Sequence, residues 1–304
     1  MARFDLYYGA SLGFDHCWMT GRVADDVDEG KVTHVVIEWT ADAGPRVIRI
    51  PAEPMGLAVT TEPNPTLLVG YPFGSVAALQ GTKSHVENLD MPNELGPLRL
   101  LRKIDRDIFT VGMGRQVYRR DYSGIWRRYD EGLRTIPRNR DELSGLNSIH
   151  GLSGNDLVVA GMRGDLWQLR HGAWTRIDIP TNVMLNDAHM VNPDLIFACG
   201  KSGVLLRGKG DSWEFVGDAP TAVGFLSLAW FRDTLFAADG SRVYRLLDDD
   251  SLATVDIGSG ENQEIGWLDV DRDVLWAFGA GVMSRTKDGV NWIAVDVDFP
   301  LPWK

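Results

Sequence analysis

The sequence predicts an all-β chain: a seven-bladed β-propeller of four-stranded antiparallel blades, folded as one domain over residues 1–304. Three observations predict it. A run of β-branched, aromatic or small apolar residues ending in glycine recurs along the chain, a tryptophan follows that glycine at nearly constant distance, and an aspartate precedes it. Three marks in one register define a repeat, and a period near 40 residues is the size of a propeller blade.

The runs are Trp18-Met19-Thr20-Gly21, Leu67-Leu68-Val69-Gly70, Phe109-Thr110-Val111-Gly112, Val158-Val159-Ala160-Gly161, Phe197-Ala198-Cys199-Gly200, Phe236-Ala237-Ala238-Asp239-Gly240 and Trp276-Ala277-Phe278-Gly279. Their glycines are spaced by 49, 42, 49, 39, 40 and 39 residues. Trp126, Trp174, Trp213 and Trp292 each follow an anchor glycine by 13 or 14 residues. Asp15, Asp107, Asp156, Asp194, Asp233 and Asp273 come shortly before it.

One unit shows how the elements follow. A first strand from Leu146 to Gly151 ends in the polar turn Gly154-Asn155-Asp156, and an apolar second strand stops at Gly161. Glycine there supplies either a positive φ or room for a close backbone approach. A third strand alternates over Leu166 to Leu169, and a turn at His171-Gly172 leads to a fourth strand starting at Trp174. A lone four-stranded sheet has two bare faces, and radial packing buries both. The apolar second strands are then sandwiched between neighbours, with the tryptophans over the outer seams.

The blades fall at 1–54, 55–95, 96–144, 145–182, 183–221, 222–262 and 263–298. The first is irregular, with an acidic excursion over Ala24 to Gly30. If it fails to close, six blades and an N-terminal extension remain. No window carries a convincing helical period.

Composition sets outer bounds. Hydrophobic residues make up 44% and charged residues 24%, ordinary globular usage. Cys17 and Cys199 sit in apolar runs and read as small buried hydrophobes. The start lacks a signal-like apolar stretch and no run of 18 apolar residues exists, so a cytoplasmic monomer without membrane contact is expected. The net charge of −11 opposes nucleic-acid binding and suits a basic protein partner.

Arg285-Thr286-Lys287-Asp288-Gly289-Val290-Asn291-Trp292 resembles the Asp-box turn of sialidase-like propellers, one residue short of the full spacing. Ser123-Gly124-Ile125-Trp126, His171-Gly172-Ala173-Trp174 and Gly210-Asp211-Ser212-Trp213 look like degraded copies. With the glycine anchors, residues 56–298 are similar to the BNR and photosystem-assembly-factor-like propellers. The resemblance implies a fold. It implies little about function, because such propellers host unrelated roles.

Two chemistries deserve weighing. The resemblance raises a sialidase-like hydrolase, whose Arg-Ile-Pro motif has a counterpart in Ile48-Arg49-Ile50-Pro51. A guanidinium grips a carboxylate bidentately. No further substrate arginines, Tyr–Glu pair or acid can be placed by motif, and Arg49 reads equally as the exposed residue of an alternating strand. The second is a metal site at His150 and His189, which precede Gly161 and Gly200 by 11 residues each, with Asp187 beside them. No third ligand is marked by spacing, and a wet, polar first strand explains both rings. Neither a cofactor nor a metal is expected.

Eight arginines, at 115, 119, 120, 127, 128, 134, 138 and 140, read as either a solvated edge or a docking face. The expected function is non-enzymatic protein binding on a rigid loop face, in the form of an immunity or inhibitor protein that captures a basic toxin. The candidate contact residues are Asn147, His150, Asn186, Asp187, His189, Trp230 and Trp267. The two tryptophans read equally as packing between blades. An assembly factor, a glycan-binding lectin and the hydrolase are the alternatives.

Overall fold

The computed structural model describes residues 2–28, 30–62, 64–134, 144–217, 224–258 and 264–303. Strands β1–β4 run Phe4–Ser11, His16–Val23, His34–Thr40 and Gly44–Ile50. Strands β5–β8 are Gly56–Thr60, Thr66–Gly70, Ser75–Gln80 and Lys83–Asn88, and β9–β12 are Leu98–Ile104, Asp107–Gly112, Val117–Arg120 and Trp126–Arg128. Then come β13–β16, Leu146–Ser153, Asp156–Gly161, Leu166–Arg170 and Ala173–Arg176, and β17–β20, Leu185–Asn192, Leu195–Gly200, Leu205–Lys209 and Ser212–Phe215. Last are β21–β24, Ser227–Phe231, Thr234–Ala238, Val243–Leu246 and Leu252–Val255, and β25–β28, Glu264–Asp271, Val274–Ala280, Val282–Thr286 and Trp292–Val295.

Within each set, consecutive strands pair antiparallel, so every set is a four-stranded meander. Two expected boundaries, 221/222 and 262/263, lie outside the described residues, as do Glu29, Arg138 and Arg140. The irregular first unit keeps all four strands. Its acidic excursion is a short helix, Ala24–Asp28, inserted between β2 and β3. The chain divides into two compact units, residues 1–54 with 226–304 and residues 55–225.

In the unit of residues 55–225, the second strands are the core. Strands β6 and β10 are buried throughout, and β14 and β18 at all but the first residue. Strands β6 and β14 pack against the next meander: Leu68 and Ala78 share one cluster with Leu98, Leu101, Ile108 and Tyr118. Val158 and Ala160 share another with Leu185, Ala188 and Ala198. In the other unit, Phe236 and Ala238 of β22 pack with Leu268, Leu275 and Ala277 of the following set.

The anchor glycines have a specific cause. A Cβ on Gly161 would overlap the Gly145 carbonyl and stand 2.9 Å from Leu146 Cα, and one on Gly200 would overlap Met184 O and stand 2.9 Å from Leu185 Cα. The pairing of the first and second strands slips there, between Leu146 and Ser148 and between Leu185 and Asp187. A β-bulge therefore opens each first strand and presses its backbone onto the glycine. Gly112, Gly21 and Gly279 meet their own first strands in the same way. Only Gly240 among the anchors uses a positive φ, at 93°. The repeated glycine marks mostly close approach, not a turn.

The tryptophans do span seams inside each unit. Trp126 Nε1 donates to Glu87 Oε2 of the preceding meander at 2.6 Å, and Trp174 Nε1 donates to Tyr129 O at 2.9 Å. Trp213 packs on the cluster of β14 and β18, and Trp292 meets Phe236 edge-on at 6.4 Å.

Candidate functional site

The candidate polar residues of residues 55–225 lie on adjacent first strands, β13 and β17, with β9 beside β13. Their shared bulge fixes the register, so equivalent side chains face equivalent backbone one sheet away. Arg99 Nη1 donates to Asn147 Oδ1 at 2.6 Å, and Asn147 Nδ2 donates in turn to Leu185 O at 2.7 Å. Asn186 Nδ2 repeats this with Phe225 O at 2.6 Å. Asn147 and Asn186 thus clip each first strand to the chain that follows it.

One position further on, Asp187 is buried. It accepts the Ser148 hydroxyl and, at 2.9 Å, the Ala188 N–H, with Arg102 Nη1 at 3.6 Å. Arg102 also donates to Ile149 O at 3.1 Å. The rings of His150 and His189 stack with centroids 3.8 Å apart and planes 27° from parallel. His150 Nδ1 accepts the Met190 N–H at 3.1 Å, which places the ring proton of the neutral form on Nε2. Burial first, then the His189 ring and the Arg102 guanidinium, push His150 well below the ordinary imidazole range.

Five of the seven candidate residues therefore lie on two neighbouring first strands, Asn147 and Asn186 as clips, Asp187 with Ser148 and Arg102, and His150 stacked on His189. Sequence reasoning missed the cations beside them. Arg99 and Arg102 sit in the apolar run Leu98-Arg99-Leu100-Leu101-Arg102, and Arg102 pairs with Phe109 just as His150 pairs with Val158 and His189 with Phe197. Register against the second strand finds it. Spacing from Gly112 does not, because β13 and β17 carry a second bulge before the turn that β9 lacks. Among the described residues no three His, Cys, Asp or Glu side chains converge as a metal-binding group.

Trp230 and Trp267 belong to the other unit, on β21 and β25. Trp267 is buried, donates from Nε1 to Gly9 O at 2.9 Å and meets Tyr8 edge-on at 5.2 Å. It packs between meanders, as one of its two readings held. Trp230 is half-buried. Near Trp267, Asp269 Oδ2 accepts both the amide and the hydroxyl of Ser11, at 2.7 and 2.6 Å.

Four arginines of the segment are held by carboxylates within this unit, and Arg138 and Arg140 lie outside the described residues. Arg115 pairs bidentately with buried Asp165 at 2.8 Å, Arg119 with Asp107 at 2.6 Å and Arg134 with Asp130 at 2.6 Å. Arg120 holds Glu87 bidentately at 2.8 and 2.7 Å. Burial alone would raise the Glu87 carboxyl, but Arg120, Trp126 and His85 outweigh it and set it below the usual range. Only Arg127 and Arg128, largely exposed, make surface pairs there, with Asp121 and Asp130.

Arg49 is exposed on alternating strand β4, and its guanidinium lies 4.5 Å from the Trp303 ring centroid. A cation stacked on an aromatic face at the surface contributes ~0.5–1 kcal/mol. Arg49→Ala is expected to lower the urea midpoint only slightly, with no sialoside hydrolysis to lose. Measurable cleavage by the parent that vanishes in this variant would restore the hydrolase reading.

Side chains cap the turn from Thr286 to Asn291. Asp288 Oδ1 accepts Val290 N–H at 2.8 Å and Asn291 N–H at 2.7 Å, while Thr286 Oγ1 accepts Gly289 N–H at 3.0 Å. The Asn291 side chain and these amides hold the Asp288 carboxyl far below the usual range. It is a turn cap.

No family model matches the chain. It is 30% identical over 283 residues to the immune protein Tsi7 of Pseudomonas aeruginosa, covering 90% of this chain and 92% of that protein. Among solved structures, a catalytically inactive virginiamycin B lyase of Staphylococcus aureus with quinupristin superposes with a TM-score of 0.70 at 12% identity, covering 92% of this chain and 93% of that one. The WD40 propeller domain of Doa1 gives 0.68 at 10% identity over 92% and 91%. YCF48 bound to a D1 peptide gives 0.65 at 13% over 98% and 95%. At these identities the structures show the fold, a β-propeller, and the first of them is an enzyme while the others are not named as such.

Proposed function

The chain belongs to the family of the immune protein Tsi7, and we propose that it is itself an immunity protein: a non-catalytic, monomeric, cytoplasmic propeller of seven blades that captures a basic protein toxin. The family membership and the propeller fold support protein binding. The seven consecutive four-stranded meanders support the blade count.

One observation carries the docking chemistry. Residues 1–54 with 226–304 hold 23 Asp and Glu against 12 Lys and Arg, whereas residues 55–225 hold 19 of each. The whole excess negative charge belongs to one unit. In a meander, the turn after the first strand and the turn after the third lie at the same end. Asp233, Asp248, Asp249, Asp250, Asp273 and Asp288 of this unit all occupy such turns. The turns approach one another: Arg232 Nε donates to Lys287 O at 3.3 Å. A basic partner is steered to that end by charge. The polar residues of β13 and β17, already committed to clips between strands, contribute less.

The test is stopped-flow association with the basic protein toxin that this reading requires. The Asp248→Lys/Asp249→Lys variant is expected to associate about tenfold more slowly at low salt with dissociation little changed, and the gap should close as salt rises. Both side chains are exposed, and Asp249 also caps its turn by accepting the Ser251 N–H at 3.0 Å, so the melting temperature should fall by a few degrees at most. A parent rate indifferent to salt, or a variant that associates as fast as the parent, would overturn the acidic docking end.

A further inference from the structure

The stacked pair His150–His189 does no work in the proposed docking and is costly to protonate where it stands. We propose that it is an acid-sensitive latch between β13 and β17: protonating His150 at Nδ1 deletes the hydrogen bond it accepts from Met190 and loosens the seam between these two strands.

The geometry supplies the mechanism. Nδ1 accepts the Met190 N–H at 3.1 Å, and this bond joins two meanders that share no backbone ladder. A proton added to the neutral ring can go only to Nδ1, because Nε2 already carries one. The imidazolium would then point an N–H at an N–H. The backbone donor of Met190, a buried residue, would lose its acceptor, and a buried unpaired amide is costly.

The surrounding charges oppose protonation in sum. From β9, Arg102 lies beside the pair, reaching Ile149 O and standing 3.6 Å from Asp187. From β17 come the His189 ring, stacked at 3.8 Å, and Asp187, whose Oδ1 is already taken by Ser148 and Ala188. Arg99 of β9 is spent on Asn147, and Asp107 of β10 on Arg119. Strand β14 places apolar Val158 opposite His150, its Asp156 lying at the far turn beside Ser153. Strand β18 places Phe197 opposite His189. One carboxylate thus faces the pair, and it is neutralised by Arg102.

The sign follows. His150 titrates below its unfolded value, so over the window between the two the unfolded chain binds the extra proton. The stability this ring contributes is fully present above the unfolded imidazole pKa and is lost as pH falls through the folded one. The loss falls on one seam before it falls on the whole chain, because the latch is local.

Hydrogen exchange of the Met190 amide between pH 7.5 and 5, corrected for intrinsic rates, tests the latch on the intact chain. The parent should lose about tenfold in protection at Met190 over this range while the β14–β15 amides hold theirs. The His150→Asn variant places a non-titrating amide oxygen at the position of Nδ1, and its Met190 protection should not depend on pH. Should that variant fail to fold, the His150 Nδ1 nitrogen shift of the labelled parent at pH 7.5 tests the latch itself, which requires an unprotonated Nδ1 accepting the Met190 N–H. Equal protection of Met190 at both values, or a protonated Nδ1 at pH 7.5, would overturn the proposal.

Discussion

Gly200→Ala is expected to destabilise the unit of residues 55–225 by about 3 kcal/mol or more, the upper end for overpacking a tight core. The added methyl has nowhere to go. It overlaps the Met184 carbonyl and stands 2.9 Å from Leu185 Cα, and both are backbone atoms at the opening of β17. Relief would need the bulge between Leu185 and Asp187 to flatten. Flattening by one residue would turn Asp187 and His189 to the other face, because side chains alternate along a strand. The clips from Asn147 to Leu185 and from Asn186 to Phe225 would go with it.

Gly266 provides the control. It lies in the first strand β25, but nothing stands within 4 Å of a Cβ built on it and its φ is not positive. Gly266→Ala should therefore leave stability unchanged or raise it by up to ~1 kcal/mol through the unfolded chain. Urea unfolding of both variants separates the cases. Equal, small effects would mean that the glycine period records ancestry and not a packing need.

That period is why the fold was legible. Gly161, Gly200 and their counterparts are fixed by a contact inside one meander, between strands adjacent in sequence, so the constraint repeats at the repeat length. The seam tryptophans are legible for the same reason: Trp126 and Trp174 reach only to the meander before. The site was legible in part. The 39-residue offset of His150 and His189 survives because both strands open on the same bulge. Arg102 was lost because β13 and β17 carry a second bulge before the turn, between Gly151 and Ser153 and between Met190 and Asn192, that β9 lacks, which puts it out of phase by one. The pairing of the arginine run was illegible where the partner lies in another meander, as Asp165 does for Arg115 and Glu87 for Arg120, because such pairs follow no period. The charge partition needs the division of the chain into two units, since the acidic unit is assembled from both ends of the sequence.

Arg285 is the residue furthest from legibility, and its removal should be among the costliest single truncations in the acidic unit. It stands first in the Asp-box-like run, where the motif gives it no role. In the structure it is nearly buried, with its guanidinium 4.0 Å from the Phe14 ring centroid, 4.9 Å from that of Trp39 and 5.4 Å from that of Trp276. It donates to Phe14 O and, at 2.9 Å, to Asp15, which fastens β27 to the β1–β2 turn some 270 residues away in sequence. Trp276 Nε1 donates to Gly13 O at 3.1 Å and closes the same turn from the other side. Arg285→Ala removes the cation from three aromatic faces and leaves a void where the stem lay, a loss of about 3–4 kcal/mol. Arg285→Met refills the void without the charge and should recover about half of that, because a buried ion exchanged for an apolar side chain of similar volume often costs little. Arg285→Lys keeps the charge but not the planar fork that serves Phe14 O and Asp15 together, and should fall between the two. Thermal melts of the three variants, with the ring-current shifts of the Trp39 and Trp276 indoles, rank packing against charge. A methionine variant as unstable as the alanine variant would assign the clasp to the cation, and an alanine variant within 1 kcal/mol of the parent, well below this estimate, would show that no clasp exists.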